Sequence, residues 1–439
     1  MVGAIEIQPS LRLSIDDPNF DTMFNALLSA KREDAPDVRT TVEDIIRQVE
    51  NRGDDALCEL TERFDHQRVT PETLRITDQE IRNALGSVSD DLKRAIDIAA
   101  TRIEAHHGRQ LPQDDVYEDH LGVQLGTRWS AVDAAGLYVP GGTASYPSSV
   151  LMNAVPAKAA GVPRIVMVVP TPQGTLNPAV LAAADRAGVD EIYRVGGAQA
   201  IAALAFGTKT IAPVNKIVGP GNAYVAAAKR HVFGTVGIDM IAGPSEVLII
   251  ADATANPDWV AADLLAQAEH DVAAQAIVVT VDVGLADGII AAVDRQLKTL
   301  ERSDIARQSW AKYGATITVQ SLDQAADLAN RIAAEHLELA VEEPAGLAKK
   351  IRHAGAVFLG HHTPEAIGDY VGGTNHVLPT ARSARFSSGL SVYDFLKRTS
   401  YLGCSADALD ALQEPAITLA EAEGLTAHAR SVAIRTNRR

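Results

Sequence analysis

Gln267 and His270 are the first side chains in this 439-residue sequence whose types and spacing could do chemistry. They lie near the end of the segment 242–271, where we predict a turn, a buried strand over 247–251 and a helix from about Pro257. Side chains three residues apart share one helix face, so an amide oxygen and an imidazole nitrogen can reach the same point. A solvated helix end is the simpler interpretation of this pair taken alone.

Three other segments place a carboxylate close to a histidine: Glu335-His336, Asp369 with His376, and Glu423 with His428. A histidine is the natural general base near neutral pH, and a neighbouring carboxylate can activate water. Nitrogen and oxygen donors of this kind also suit zinc or a related divalent ion. No H-E-x-x-H or C-x-x-C motif occurs, so local spacing identifies no metal. Glu335-His336 alone also fits a solvent-facing helix end.

Glycine-rich loops form a second class of candidate sites. They are Gly141-Gly142, Gly196-Gly197 and Gly219-Pro220-Gly221-Asn222, each between a predicted strand and a predicted helix. The free N–H groups of a helix start can hold a phosphate or diphosphate. None of the loops completes a G-x-G-x-x-G motif, so plain turn glycines explain them equally well. Ligands of open α/β sheets bind at strand ends, which is where Tyr138, Gln199 and Asn222 lie.

The elements that must position these residues follow a βα rhythm, first over 135–232 and again over 247–359. This rhythm predicts an α/β fold with two Rossmann-like domains, one inserted in the other. The predicted parts are an N-terminal arm (1–35), a discontinuous domain with the Gln267–His270 pair (36–137 and 246–385), a domain with the glycine-rich loops (138–245) and a tail (386–439). The tail ends in a helix predicted from Pro415 to about 433, and such appended segments often pack on a partner subunit.

Composition narrows the classes of function. A formal net charge of −16 and a pI near 5.2 argue against a nucleic-acid partner, which requires clustered Lys and Arg. The first residues have neither the basic n-region nor the apolar core of a signal peptide. No apolar run approaches the roughly 18 residues of a membrane helix. We therefore expect a cytoplasmic protein without a membrane partner. Cys58 and Cys404 cannot form a disulfide framework, and neither lies in a setting typical of a catalytic thiol.

Long strings of this sequence resemble histidinol dehydrogenases, in order and over nearly the whole chain. They are GLYVPGGTASYPSSVLMNAVPAKAAGV, VGGAQAIAALAFGT, VGPGNAYVAAAKR, IDMIAGPSEVLIIAD, LLAQAEHD, AAEHLEL and IGDYVGGTNHVLPT. The resemblance implies an NAD-dependent, four-electron oxidation of L-histidinol to L-histidine through L-histidinal, the last step of histidine biosynthesis. It also implies a homodimer with one zinc ion per subunit and active sites shared between subunits.

The resemblance assigns roles to particular residues. The zinc ligands would be Gln267, His270, Asp369 and His428 of the partner subunit, and these would also contact the substrate. Glu335 and His336 match the catalytic and substrate-binding pair, while Ser245, His376 and Glu423 match further substrate contacts. Tyr138, Gln199 and Asn222 match NAD contacts, which makes 138–245 the NAD-binding domain and 36–137 with 246–385 the metal- and substrate-binding domain. The tail would complete the partner's active site.

Within this interpretation, His336 would act as general base in both oxidations and Glu335 would activate the water that attacks the aldehyde. Zinc would position the substrate as a Lewis acid and template. One alternative is a zinc-dependent dehydrogenase of the same scaffold that acts on another amino alcohol. A catalytically silent metal- or ligand-binding protein is the other, although such a protein would be expected to lose the Glu–His pair first.

Overall fold

The computed structural model describes residues 10–30, 38–141, 146–241 and 243–436. Two separate parallel sheets form its frame, which confirms the predicted α/β class. The larger sheet has six strands in the spatial order β1 (Leu11–Ser14), β11 (Ala315–Thr318), β10 (Gln275–Thr280), β9 (Glu246–Ala251), β12 (His336–Ala340) and β13 (Ala356–Leu359). The smaller has five, in the order β6 (Glu191–Tyr193), β5 (Ile165–Val168), β4 (Ala135–Tyr138), β7 (Lys216–Val218) and β8 (Gly237–Ile238).

Both sheets are buried on both faces, as parallel sheets normally are. In β9, Leu248 and Ile250 enter one apolar core while Val247 and Ile249 enter the core on the opposite face. The same alternation in β5 divides residues 165–168 between two other cores. Successive strand side chains point to opposite faces, so a continuous run of Val, Ile and Leu serves two layers of helices.

Helices α2 to α10 surround the five-stranded sheet: α2 (Arg39–Arg52), α3 (Asp54–Asp65), α4 (Pro71–Leu74), α5 (Asp78–Ser87), α6 (Asp90–Gly108), α7 (Pro147–Ala159), α8 (Pro178–Ala187), α9 (Gly197–Phe206) and α10 (Ala223–Val232). The six-stranded sheet is accompanied by α1 (Phe20–Ser29), α11 (Pro257–Ala268), α12 (Val283–Gln296), α13 (Ser303–Tyr313), α14 (Leu322–Ile332), α15 (Pro344–Ala348) and α16 (Glu365–Tyr370). Helices from 39–108 thus pack with the five-stranded sheet, while the domain boundaries stay a prediction.

The tail begins with β14 (Leu396–Cys404), which pairs antiparallel with β3 (Val123–Ala131), itself paired with β2 (Asp115–Glu118). Two helices follow, α17 (Ala406–Ala422) and α18 (Thr426–Ala433). The prediction of a single helix from Pro415 was therefore wrong. Gly424 has a φ of +72° and ends α17, while Pro415 lies inside that helix. Within the described residues, we find no helix that is both long and apolar enough to cross a membrane.

Candidate active site between the two sheets

A cavity of about 340 Å³ lies where the two sheets face each other. The loop 219–222 reaches it from the carboxyl end of β7, as expected for an open α/β sheet. The six-stranded sheet contributes from its opposite end: Ser245 precedes β9, and His336 is the first residue of β12. The carboxyl ends of one sheet therefore face the amino ends of the other across the cavity.

Seven of the predicted site residues line this cavity: Asn222, Ser245, His270, Glu335, His336, Asp369 and His376. The structure brings them together from segments more than 150 residues apart in the chain. Part of the glycine-rich loop after β4, residues 142–145, lies outside the described residues.

The backbone of Glu246, the first residue of β9, holds both members of the Glu335–His336 pair. Its amide N–H donates to Oε2 of Glu335 at 2.9 Å, and its carbonyl oxygen lies 3.0 Å from Nδ1 of His336. Ala333, with a φ of +51°, ends α14 and turns the chain into β12. This turn places Glu335 just before the strand, so both side chains reach the cavity although they are adjacent in sequence.

The contact with Glu246 determines which nitrogen of His336 carries the proton. A carbonyl oxygen can only accept, so Nδ1 is protonated and Nε2 keeps its lone pair. Nε2 is buried and has no hydrogen-bond partner among the described residues. Burial lowers the pKa of His336 to about 3, which outweighs the opposing effect of the Glu246 carbonyl. The side chain is therefore a neutral imidazole with a free acceptor beside the cavity.

Next to His336 lies a cluster that could hold a metal ion. One ligand atom each of His270, Glu365 and Asp369 falls within 4.8 Å of the other two. Asp369 Oδ1 lies 3.7 Å from His336 Nε2, which places the cluster against the predicted base. Burial raises the pKa of Asp369 to about 6 and, helped by the nearby Asp369 charge, raises the pKa of Glu365 well above its ordinary value.

The donor set fits a divalent cation. Gln267 is fully buried, yet neither its Oε1 nor its Nε2 has a hydrogen-bond partner among the described residues. Oε2 of Glu365 is likewise buried and without a partner there. Unpaired buried polar groups are costly, and a bound cation would satisfy oxygen atoms of this kind while offsetting the repulsion between carboxylates. The helix that carries Gln267 ends at Ala268, so His270 occupies the following turn rather than the helix.

Glu365 is the member of this cluster that the sequence prediction missed. It begins α16, four residues before Asp369, and residues at this spacing share one helix face. Its backbone N–H donates to Oε1 of the buried Glu338 at 2.7 Å, which anchors the start of the helix. The i,i+4 pair of carboxylates was the signal available in the sequence, but surface helices show such pairs frequently.

His376 is held by its backbone surroundings. Its Nδ1 lies 3.0 Å from the Asp369 carbonyl oxygen, so Nε2 is the free acceptor, and burial lowers its pKa to about 4. Arg102 of α6 supports the preceding turn by donating to the carbonyl oxygens of Val371 at 2.6 Å and Gly372 at 3.1 Å. A helix distant in sequence therefore holds the turn that precedes this predicted substrate contact.

The predicted NAD contacts differ in accessibility. Asn222 is exposed at the cavity and caps α10 by accepting from Tyr224 N–H and Val225 N–H. Tyr138 and Gln199 are only 4% and 1% exposed, and neither is among the described residues that line the cavity. The Tyr138 hydroxyl accepts the Gly197 N–H at 3.1 Å, which links β4 to the first residue of α9. Their direct contact with NAD stays a prediction.

Glu423 and His428 are not brought to this cavity within one subunit. Both are exposed, at the end of α17 and on α18, away from the described cavity lining. Their predicted roles therefore depend on the tail of a partner subunit. The cysteines have no place in the site either: Cys404 is exposed at the end of β14, and burial with nearby Asp54 raises the pKa of Cys58.

Nearly the whole chain is similar to known proteins. Residues 28–436 match the sequence profile named histidinol dehydrogenase. A histidinol dehydrogenase from Agrobacterium fabrum is 64% identical over 95% of this chain and 97% of its own length. One from Rhizobium meliloti is 63% identical over 98% and 99%. The crystal structure of histidinol dehydrogenase from Elizabethkingia anophelis superposes with a TM-score of 0.94 at 38% identity, covering 98% of each chain. The chain belongs to the histidinol dehydrogenase family of oxidoreductases.

Proposed function

We propose that this protein oxidises L-histidinol to L-histidine through L-histidinal with two molecules of NAD, as an enzyme of histidine biosynthesis. The observation that carries the proposal is the free Nε2 of His336, 3.7 Å from Asp369 in a cluster suited to a metal ion. A neutral imidazole with its other nitrogen already bonded is the form that a general base requires.

Gln267, His270 and Asp369 would hold a zinc ion, together with His428 of the partner subunit. Zinc, when bound, would supply a Lewis acid and template for the imidazole and amine of histidinol. Glu365 lies close enough to this set to accept a hydrogen bond from the substrate amine or from a metal ligand. Nitrogen and oxygen ligands of this kind can bind several divalent ions. The activity assay below therefore uses protein of known metal content.

NAD, when bound at the loop 219–222 and the neighbouring helix starts, would supply the hydride acceptor. In the first oxidation, His336 takes the hydroxyl proton of histidinol at Nε2. The hydrogen bond to Glu246 lets the resulting imidazolium keep its orientation, because Nδ1–H continues to donate to the same carbonyl.

The second oxidation starts from the aldehyde and requires water. Oε2 of Glu335 lies 3.7 Å from Nδ1 of His336 and accepts the Glu246 N–H, so this carboxylate is held at the cavity wall. Glu335 orients and activates the water that attacks the aldehyde carbon. His336, after releasing its first proton to solvent, then accepts a proton of the hydrate at Nε2 as the hydride leaves the hydrate carbon for the second NAD. No cysteine is needed for this route.

We infer that the active enzyme is a homodimer whose sites are each completed by the partner's tail. The tail exposes large apolar side chains, including Leu402, Leu419 and Ile434, at 73%, 65% and 66% of their full surface. Such exposure on one appended unit is typical of an interface. The cavity of a single subunit is open to solvent, whereas a reactive aldehyde requires closure.

Mixed dimers test the shared site. Subunits with His336→Gln are mixed with subunits carrying His428→Asn, after unfolding and refolding together. Random pairing gives half mixed dimers with one intact site each, so about a quarter of wild-type activity is expected from two inactive parents. Activity that stays at zero would show that each site is built within one subunit.

The reaction itself is tested by measuring NADH formed from L-histidinol by purified protein of known metal content. Two NADH per histidinol, lost with a chelator and restored by zinc, are expected. One NADH would mean that the aldehyde escapes and that Glu335 has another role. No NADH from a folded, zinc-loaded dimer would favour another amino alcohol as substrate.

A further inference from the structure

A buried ion pair lies under the loop 219–222, and nothing in the catalytic scheme uses it. Lys229 is in the last turn of α10, and Asp239 follows β8. Their side chains are 4% and 1% exposed, and the Lys229 ammonium contacts Oδ1 of Asp239 directly. Breaking such a buried pair leaves an uncompensated charge, so its presence in the cavity wall calls for a reason.

The ion pair forms hydrogen bonds with both backbone polar groups of Gly219, its carbonyl oxygen and its N–H. Lys229 Nζ donates to the carbonyl oxygen of Gly219 at 2.9 Å, and Oδ2 of Asp239 accepts the Gly219 N–H at 2.8 Å. Asp239 is itself tied to β7, because its N–H donates to the Ile217 carbonyl at 3.2 Å. Gly219 is thereby clamped between α10 and the segment after β8.

Gly219 is also confined from the other side. Its φ is +110°, and a Cβ at this position would lie 2.1 Å from the carbonyl oxygen of Tyr138. The loop can therefore carry no side chain here, because its backbone lies against the Tyr138 carbonyl of β4. Three residues later, Asn222 caps α10, the helix that carries Lys229. Hydrogen bonds thus connect the loop 219–222, the start of α10 and the Lys229–Asp239 ion pair.

We propose that Lys229 and Asp239 are positioning residues for dinucleotide binding. They hold the backbone of the loop 219–222 in the shape that receives NAD and act on the cofactor through Gly219. This inference rests on the proposed use of NAD. It predicts a specific effect on dinucleotide affinity, because the metal cluster and the Glu335–His336 pair are held by other contacts, to Glu246 and Glu338.

The test uses the double variant K229M/D239N, which removes both charges together and so avoids an unpaired buried ion. The expected result is a rise in KM for NAD of about tenfold or more, with the KM for histidinol within about twofold of wild type and unchanged zinc content. Titration of the metal-loaded protein with NAD alone, followed by calorimetry, should show the same loss of affinity.

The matched control is R164M/E191Q on the same sheet. Arg164 and Glu191 form a less buried pair between β5 and β6, and Arg164 likewise donates to backbone carbonyls, those of Ala212 and Pro213. This variant should lose thermal stability without a change in KM for NAD. An unchanged KM for NAD in folded K229M/D239N would overturn the proposal.

If K229M/D239N does not fold, K229R replaces it. Arginine keeps the charge but cannot reproduce the single-point donation to Gly219, so KM for NAD should still rise. An unchanged KM in K229R would then count against the proposal. Wild-type enzyme that forms no NADH from histidinol would instead refute the proposed function, which keeps the two failures distinguishable.

Discussion

Nδ1 of His336 lies 3.0 Å from the backbone carbonyl oxygen of Glu246. The two residues are 90 positions apart, yet the parallel pairing of β12 with β9 aligns them in neighbouring strands. The main chain of one strand thus selects the tautomer of a side chain on the next. No mutation of the Glu246 side chain can remove this contact, so the proposed base is tested at His336 itself.

Replacing His336 with Gln should lower kcat roughly 10²- to 10⁴-fold, because an amide cannot accept the substrate proton. Metal content should change little, since the residue lies beside the metal cluster and not within it. Steady-state NADH formation and metal analysis measure both quantities. A variant that retains more than about half of the wild-type kcat would remove His336 from the mechanism.

Glu335→Gln should separate the two oxidations. The amide oxygen can still accept the Glu246 N–H, so the fold around the site should persist. We expect the rate of histidinal oxidation to histidine to fall roughly 10²-fold or more. The rate of histidinal reduction to histidinol by NADH should stay closer to wild type. Each direction is measured separately with supplied histidinal. Equal losses in both directions would mean that Glu335 serves a step common to the two oxidations.

Gln267→Leu should affect the metal-free and metal-loaded proteins in different ways. Both polar atoms of this buried side chain lack a hydrogen-bond partner among the described residues, so an apolar replacement costs the metal-free protein little stability. The loss of one ligand should weaken zinc binding by about tenfold or more. Thermal unfolding with and without zinc checks this: the variant should keep the metal-free Tm and lose most of the zinc-dependent rise. A strongly lowered metal-free Tm would contradict the proposed ligand role.

The buried His107, which is not part of the metal cluster, should make the stability of the protein depend on pH. Burial lowers its pKa to about 4 from 6.5, and Nδ1 donates to Oε1 of Gln110 at 2.8 Å. Between pH 6.5 and 4 the unfolded chain therefore binds more protons than the folded protein, so stability falls as pH falls through this window. Titration of His107 should lower the free energy of unfolding by about 3 kcal/mol between neutral pH and pH 4.

The variant His107→Asn keeps a donor near the Nδ1 position and cannot ionise. Its Tm should fall less steeply than that of wild type between pH 6.5 and 4, although it starts lower because the ring is lost from the core. Comparing the two slopes removes the titrations that the proteins share. Parallel slopes would show that His107 is not the group responsible.

The local elements were largely predictable. The strand predicted over 247–251 is β9 (Glu246–Ala251), and the helix predicted from about Pro257 is α11, which begins at Pro257. Hydrophobic periodicity and capping residues determine helices and strands through neighbours a few positions away. These elements can therefore be predicted from the sequence. The tail shows the limit of such patterns: Pro415 predicts a helix start, but it lies inside α17, and Gly424 separates the two helices.

By itself, the sequence determined the α/β class, the family, and seven candidate residues that line the cavity, because these depend on local pattern and on long matching strings. Only the tertiary structure decided that Glu365 joins His270 and Asp369, that the Glu246 backbone orients His336, and that Lys229 and Asp239 clamp Gly219. Each of these relationships joins atoms through strand pairing or burial between distant segments. Their distances and desolvation arise from strand pairing and packing in the folded chain, and no spacing along the chain encodes them.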